Sequence, residues 1–123
     1  MNGGLEKVVL NRKLADLSDA YLAMALALDI FNPKRDRWSE PCDFGNQQER
    51  AHHANEAIAR LEQRQPGAID DDMQREIETF RGFLQELSSG SAYDAEVDQF
   101  CWRLREKGAA LADESVTVAR IAT

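Results

Sequence analysis

Along residues 10–31 the apolar positions Leu10, Leu14, Leu17, Tyr21, Met24, Leu28 and Phe31 recur at alternating steps of four and three. That is the spacing of a seam on one face of a helix. Val8, Ala15 and Leu22 form a second ridge, and between residues 20 and 31 only Asp29 is charged. A helix that is apolar nearly all round belongs in the middle of an assembly. The pattern therefore predicts a long first helix over residues 5–31, stopped by Asn32-Pro33 because proline disfavours helical geometry in the residue before it.

Residues 32–45 have no period and contain two prolines and a closing glycine, which predicts a loop carrying Lys34, Arg35, Arg37 and Trp38. Asn46 with Glu49 three residues on reads as a capping arrangement. The second helix follows to about Gln65, with a thin stripe of Ala51, Ala54, Ile58 and Leu61, and Pro66-Gly67 ends it. Acidic residues at a helix start complement the dipole, so Asp70, Asp71 and Asp72 open a third helix, with the stripe Met73, Ile77, Phe80, Leu84 and Leu87. Ser88-Ser89-Gly90 closes it, and Ser91 with Asp94 opens a fourth. So short a connection makes helices three and four antiparallel neighbours.

The fourth helix carries Tyr93, Val97, Phe100, Leu104 and Leu111 on one face, with Gly108 where a close crossing is expected. On the opposite face Ala95, Trp102, Ala109 and Val116 recur every seventh residue. Residues 115–123 turn β-branched, which leaves helix and loose tail both open. The fold class read from this pattern is all-α: one four-helix, bundle-like domain over residues 1–123, with long helices one and four as its spine and shorter helices two and three covering them.

A length of 123 residues suits one domain with one core. The net charge of −7 argues against duplex DNA or an anionic membrane as the main ligand, since both are bound largely through Lys and Arg. The start of the chain has no apolar stretch behind a basic one, and the longest apolar run, residues 20–28, falls well short of the ~20 residues of a membrane span. The expectation is a cytoplasmic protein with no membrane association, in which the separate thiols Cys42 and Cys101 are free, with a disulfide between them as the alternative.

Candidate chemistry is sparse. Glu49-x-x-His52, with His53 and Glu56 beside it, has the step of half a di-iron carboxylate site. The chain, however, has only two histidines, and at about 100° per residue these four side chains fall nearly opposite the apolar stripe, in water. Paired carboxylates that hold Mg²⁺ between helices need Glu-x-x-Glu or Glu-x-x-Asp steps; Glu76 and Glu78 are two apart, as are Asp94, Glu96 and Asp98, so neighbouring members point away from each other. No phosphate-loop, dinucleotide or nucleophile-elbow pattern occurs, so no catalytic residue and no cofactor is assigned. Asp29 faces the negative end of its helix dipole and is expected to pair with Lys34 or Arg35. The basic loop with Trp38 has too few cations to grip nucleic acid.

Two features remain. Residues 70–98 hold nine acids against Arg75 and Arg81, a charge equal to that of the whole chain, and Trp102 stands opposite the main stripe of helix four. Solvated helix starts account for the acids, and a loop or tail folded over Trp102 would account for the tryptophan. The functional reading is a non-catalytic interaction module, such as an adaptor, small chaperone or inhibitor. It would engage a basic or apolar protein surface through Trp102, Ala95, Ala109, Val116, Asp94, Glu96, Asp98, Asp70, Asp71 and Asp72, with a homodimer as the simplest partner. The alternatives are a metal-dependent helical enzyme built on Glu49, His52, His53 and Glu56, and a bundle that admits a small molecule between helices one and four.

Overall fold

The computed structural model describes residues 3–33 and 47–122. These form four helices: α1 (Gly3–Asp29), α2 (Gln47–Arg64), α3 (Asp71–Ser88) and α4 (Ala95–Ala122). There is no strand among the described residues. The all-α bundle with α1 and α4 as its spine is therefore what the chain adopts: α4 runs closest to α1, α2 lies next, and the backbone of α3 stands further off.

Around the C-terminal half of α1, Ala20, Ala23, Met24, Ala25, Ala27 and Leu28 are all buried. Apolar side chains on every side demand neighbours on every side, and α2, α3 and α4 supply them with Leu61, Ile77, Phe80 and Leu104. Each large side chain removed from water here contributes about 1.5–3 kcal/mol. The seam does not hold along the whole helix. Leu14 and Tyr21 are buried, but Leu10 is exposed, as are Val8 and Val9, because α2 and α3 do not extend that far.

The boundaries follow local chemistry. α1 stops two residues before the expected Phe31, in a turn where the Phe31 amide donates to Leu28 O at 3.1 Å and the Asn32 amide to Asp29 O at 2.9 Å. Asp70 caps α3, its Oδ1 accepting from the Met73 amide at 2.8 Å. At the other end Gly90 takes φ +103° and donates to Leu87 O at 3.1 Å, while the Ser91 amide donates to Glu86 O at 3.0 Å. This glycine-based closure satisfies carbonyls the helix leaves over. α4 is capped by Asp94 itself, whose Oδ1 accepts from the Val97 amide at 3.0 Å. The Ser91 start was three residues early because Ser91 is spent on closing α3.

Antiparallel packing of α3 on α4 is made by side chains: the rings of Phe83 and Phe100 lie 5.4 Å apart, and Lys107 pairs with Glu76. Residues 115–122 continue as helix, and the Ser115 hydroxyl lies 3.3 Å from Asn11 O. The close crossing expected at Gly108 is where α4 meets α1: a Cβ built there would stand 2.7 Å from Leu22 Cδ2, and the Ser18 hydroxyl donates to Gly108 O at 2.7 Å. Leu22 thus packs directly against Gly108 where the two helices cross. The readings on Lys34, Arg35, Arg37, Trp38, Cys42 and Asn46 lie outside the described residues. No described helix is long and apolar enough to cross a membrane.

Candidate functional site: a tryptophan face on helix four

α4 buries Val97, Phe100, Cys101 and Leu104 against the core and turns Ala95, Trp102, Ala109 and Val116 outward. Trp102 is 55% exposed. An aromatic of this size in water is a costly surface feature that marks contact sites when it is held in place. Here it is held from one side. The Arg105 guanidinium sits 5.6 Å from the centre of the indole ring, and the same group is anchored 2.9 Å from the Asp29 carboxylate at the end of α1. Asp29 is buried and Arg105 only partly exposed, so the guanidinium stacks on the ring while its charge is matched from behind. Among the described residues the partner of Asp29 is Arg105 of α4; the Lys34 and Arg35 expected beside it lie outside them.

Beneath this pair, Cys101 donates to Ala25 O at 3.3 Å and Tyr93 to an Asp98 oxygen at 3.0 Å. Burial pushes the Cys101 thiol up to about 11, with Arg105 opposing the rise and Asp29 adding to it. Burial also raises Tyr93 well above the usual phenol range, helped by Cys101 and by the hydrogen bond to Asp98. Both groups are therefore neutral near pH 7, which makes Cys101 a packed hydrophobe with a poor nucleophile.

Trp102 divides two open grooves. One, about 420 Å³, runs between Tyr93, Asp94, Ala95 and Asp98 of the α4 start and Asn32-Pro33. The other, about 640 Å³, lies between α3 and α4 with Phe83 and Phe100 at its floor and Glu96, Arg103 and Glu106 at its edges. A side chain with an apolar stem and a cationic end matches such a groove, since the stem covers ring surface while the head meets a carboxylate.

The structure separates the acidic residues that the sequence grouped. Because α3 and α4 are antiparallel, Asp70, Asp71 and Asp72 sit at one end of the pair and Asp94, Glu96 and Asp98 at the other. The helix between them is about 27 Å long. Asp70 and Asp94 are caps, Asp72 pairs with Arg75 at 2.8 Å, Glu76 with Lys107, and Asp98 accepts from Tyr93. Only the second triplet adjoins Trp102. The first adjoins Tyr21, which burial and then the charges of Glu76, Asp70 and Asp72 push up to about 12.

Glu49, His52, His53 and Glu56 are exposed on α2, and His52 Nε2 lies 2.9 Å from the Glu56 carboxylate across one helical turn. Among the described residues no three His, Cys, Asp or Glu side chains converge as metal ligands would. Sequence reasoning missed the buried polar set: Asp16, 3.6 Å from Arg64; Ser18 on Gly108; and Arg50, whose guanidinium donates to Leu26 O at 3.1 Å. It also missed Arg105, whose only signal is its position one turn beyond Trp102. No protein-family model, curated protein or solved structure matches this chain.

Proposed function

We propose that this chain is a non-catalytic protein-interaction module whose Trp102 face receives a basic, partly apolar segment of a partner protein. The observation that carries the reading is the construction of that face: a half-exposed indole, stacked under an arginine anchored to a buried carboxylate, between two aromatic-floored or acid-edged grooves. A ring already fixed in the free protein loses little freedom on binding, which is the economy of a good anchor. The acids around it favour a cationic partner and disfavour nucleic acid. Adaptor, small chaperone and inhibitor are three uses of the same surface, and none requires a reactive side chain.

The test is selection of random peptides displayed on phage against the wild-type chain and against Trp102→Ala. Enrichment of sequences joining Lys or Arg to aliphatic residues, lost in the variant, is the expected result. An anchoring tryptophan typically contributes 2 kcal/mol or more, so a selected peptide should bind Trp102→Ala at least ~30-fold more weakly. Charge reversal at Glu96 and Glu106 should weaken it further and reduce its salt dependence. Asp94 and Asp98 are unsuitable for this test, because the first caps α4 and the second holds Tyr93. Enrichment of acidic peptides, or equal binding to Trp102→Ala, would remove the reading.

A further inference from the structure

At the end of the molecule away from Trp102, α1 and α4 outrun the other helices. α2 ends at Arg64, which reaches Asp16, and Glu76 near the start of α3 is level with Lys107. Residues 3–13 of α1 and 112–122 of α4 therefore continue as an antiparallel pair for about 16 Å beyond the four-helix body. Asn11 and Ser115 tie the pair together. Val8, Val9 and Leu10 are 45%, 51% and 43% exposed there, and Val116 on α4 is 51% exposed. Three consecutive apolar residues span about 200° of the circumference of α1, yet among the described residues only α4 flanks it. Such a helix needs more neighbours than one.

We infer that a second copy of this chain supplies them: two protruding pairs pack side by side about a two-fold axis and complete a four-helix bundle between two bodies. The shape is self-complementary, because each copy has two helices and lacks two. Charge selects the same place. Two chains of −7 repel, but on the protruding pair the described side chains are nearly balanced, with Arg12, Lys13 and Arg120 against Asp113 and Glu114, so close approach costs least there. The open face is roughly 16 Å by 20 Å, about 300 Å² in projection, which puts the contact below the ~1,200 Å² of stable interfaces and in the weak, reversible class. Val116 is the far end of the ridge that carries Trp102, about 21 Å away along α4, and lines neither groove beside Trp102, so this contact leaves both grooves open.

Sedimentation equilibrium of the wild-type chain over increasing concentration tests it. The mass should rise from monomer toward dimer and no further, and added salt should strengthen association by screening the like-charged bodies. Val9→Asp and Val116→Glu, on different helices and exposed in the monomer, should each weaken the dimer at least tenfold with unchanged circular dichroism. Trp102→Ala should leave it unchanged. A monomeric mass up to about 1 mM, a larger oligomer, a dimer that neither folded variant weakens, or one that Trp102→Ala abolishes would overturn the inference.

Discussion

Gly108→Ala sets two effects of known sign against each other. In a solvent-exposed helix this change is favourable by about 0.8–1 kcal/mol, because glycine loses the most backbone freedom on folding. At Gly108, however, the new methyl would stand 2.7 Å from both Leu22 Cγ and Cδ2 and 3.4 Å from the Leu22 amide nitrogen. The backbone atom cannot swing aside, and turning Leu22 removes it from the crossing, so overpacking should cost about 1–3 kcal/mol. If the helices part, the Ser18 bond to Gly108 O is also strained, a further loss of up to ~1.5 kcal/mol. The net expectation is a loss of about 1–2 kcal/mol, roughly 3–8 °C in Tm for a chain of this size. Urea unfolding followed by circular dichroism measures it, and two controls isolate the cause. In a Leu22→Ala background the obstruction is gone, so Gly108→Ala should become stabilising by about 0.5–1 kcal/mol, a coupling of about 2 kcal/mol. Gly82 of α3 has nothing within 4 Å of a built Cβ, so Gly82→Ala should stabilise by about 0.5–1 kcal/mol. If Gly108→Ala stabilises the wild-type chain as Gly82→Ala does, α1 and α4 do not cross here.

Other consequences are smaller or more local. Arg105→Ala leaves the buried Asp29 carboxylate without its guanidinium and should cost about 1–3 kcal/mol, below the value for a fully buried pair because Arg105 is partly solvated; unchanged urea unfolding would mean that the pair is not formed in solution. Asp70→Ala and Asp94→Ala each remove an N-cap and should each cost about 1 kcal/mol, adding independently because they lie far apart, whereas Asp71→Ala should stay within about 0.5 kcal/mol. The Cys101 thiol ionises at about 11 in the fold against an ordinary 9.0. Above the ordinary value the unfolded chain therefore releases a proton that the folded chain keeps, and stability falls as pH rises between these values. Tyr21, displaced from 10.0 to about 12, extends the decline. Cys101→Ala should flatten the first part of the profile, and at pH 8 iodoacetamide should label Cys101 only as fast as the protein opens, as read by peptide mass spectrometry.

Much of the fold is legible in the pattern because helix burial is periodic. Leu14, Tyr21, Met24 and Leu28 are inside for the reason their spacing implies, as are Met73, Ile77, Phe80 and Leu87 on α3. The same rule failed at Val8 and Leu10, where periodicity shows which face is apolar and not whether a neighbour reaches it. It also misplaced the start of α4, since Ser91 and Asp94 are both good caps and only the closure of α3 chooses between them. For the candidate site, heptad spacing singled out the Trp102 ridge, but its exposure and its support by Arg105 and Asp29 depend on residues far apart in the chain.

Sequence by itself determined four helices, their inward stripes, the central place of α1 and the surplus of acid, because each depends on residues within a turn or two of one another. Tertiary structure alone decided which polar groups are paired in the interior, that Leu22 fills the crossing at Gly108, and that the two acid triplets lie at opposite ends. It also decided that the α1–α4 pair outruns its cover. These are matters of how far each helix reaches past its neighbours, and helix lengths and crossing points are set only when all four pack at once.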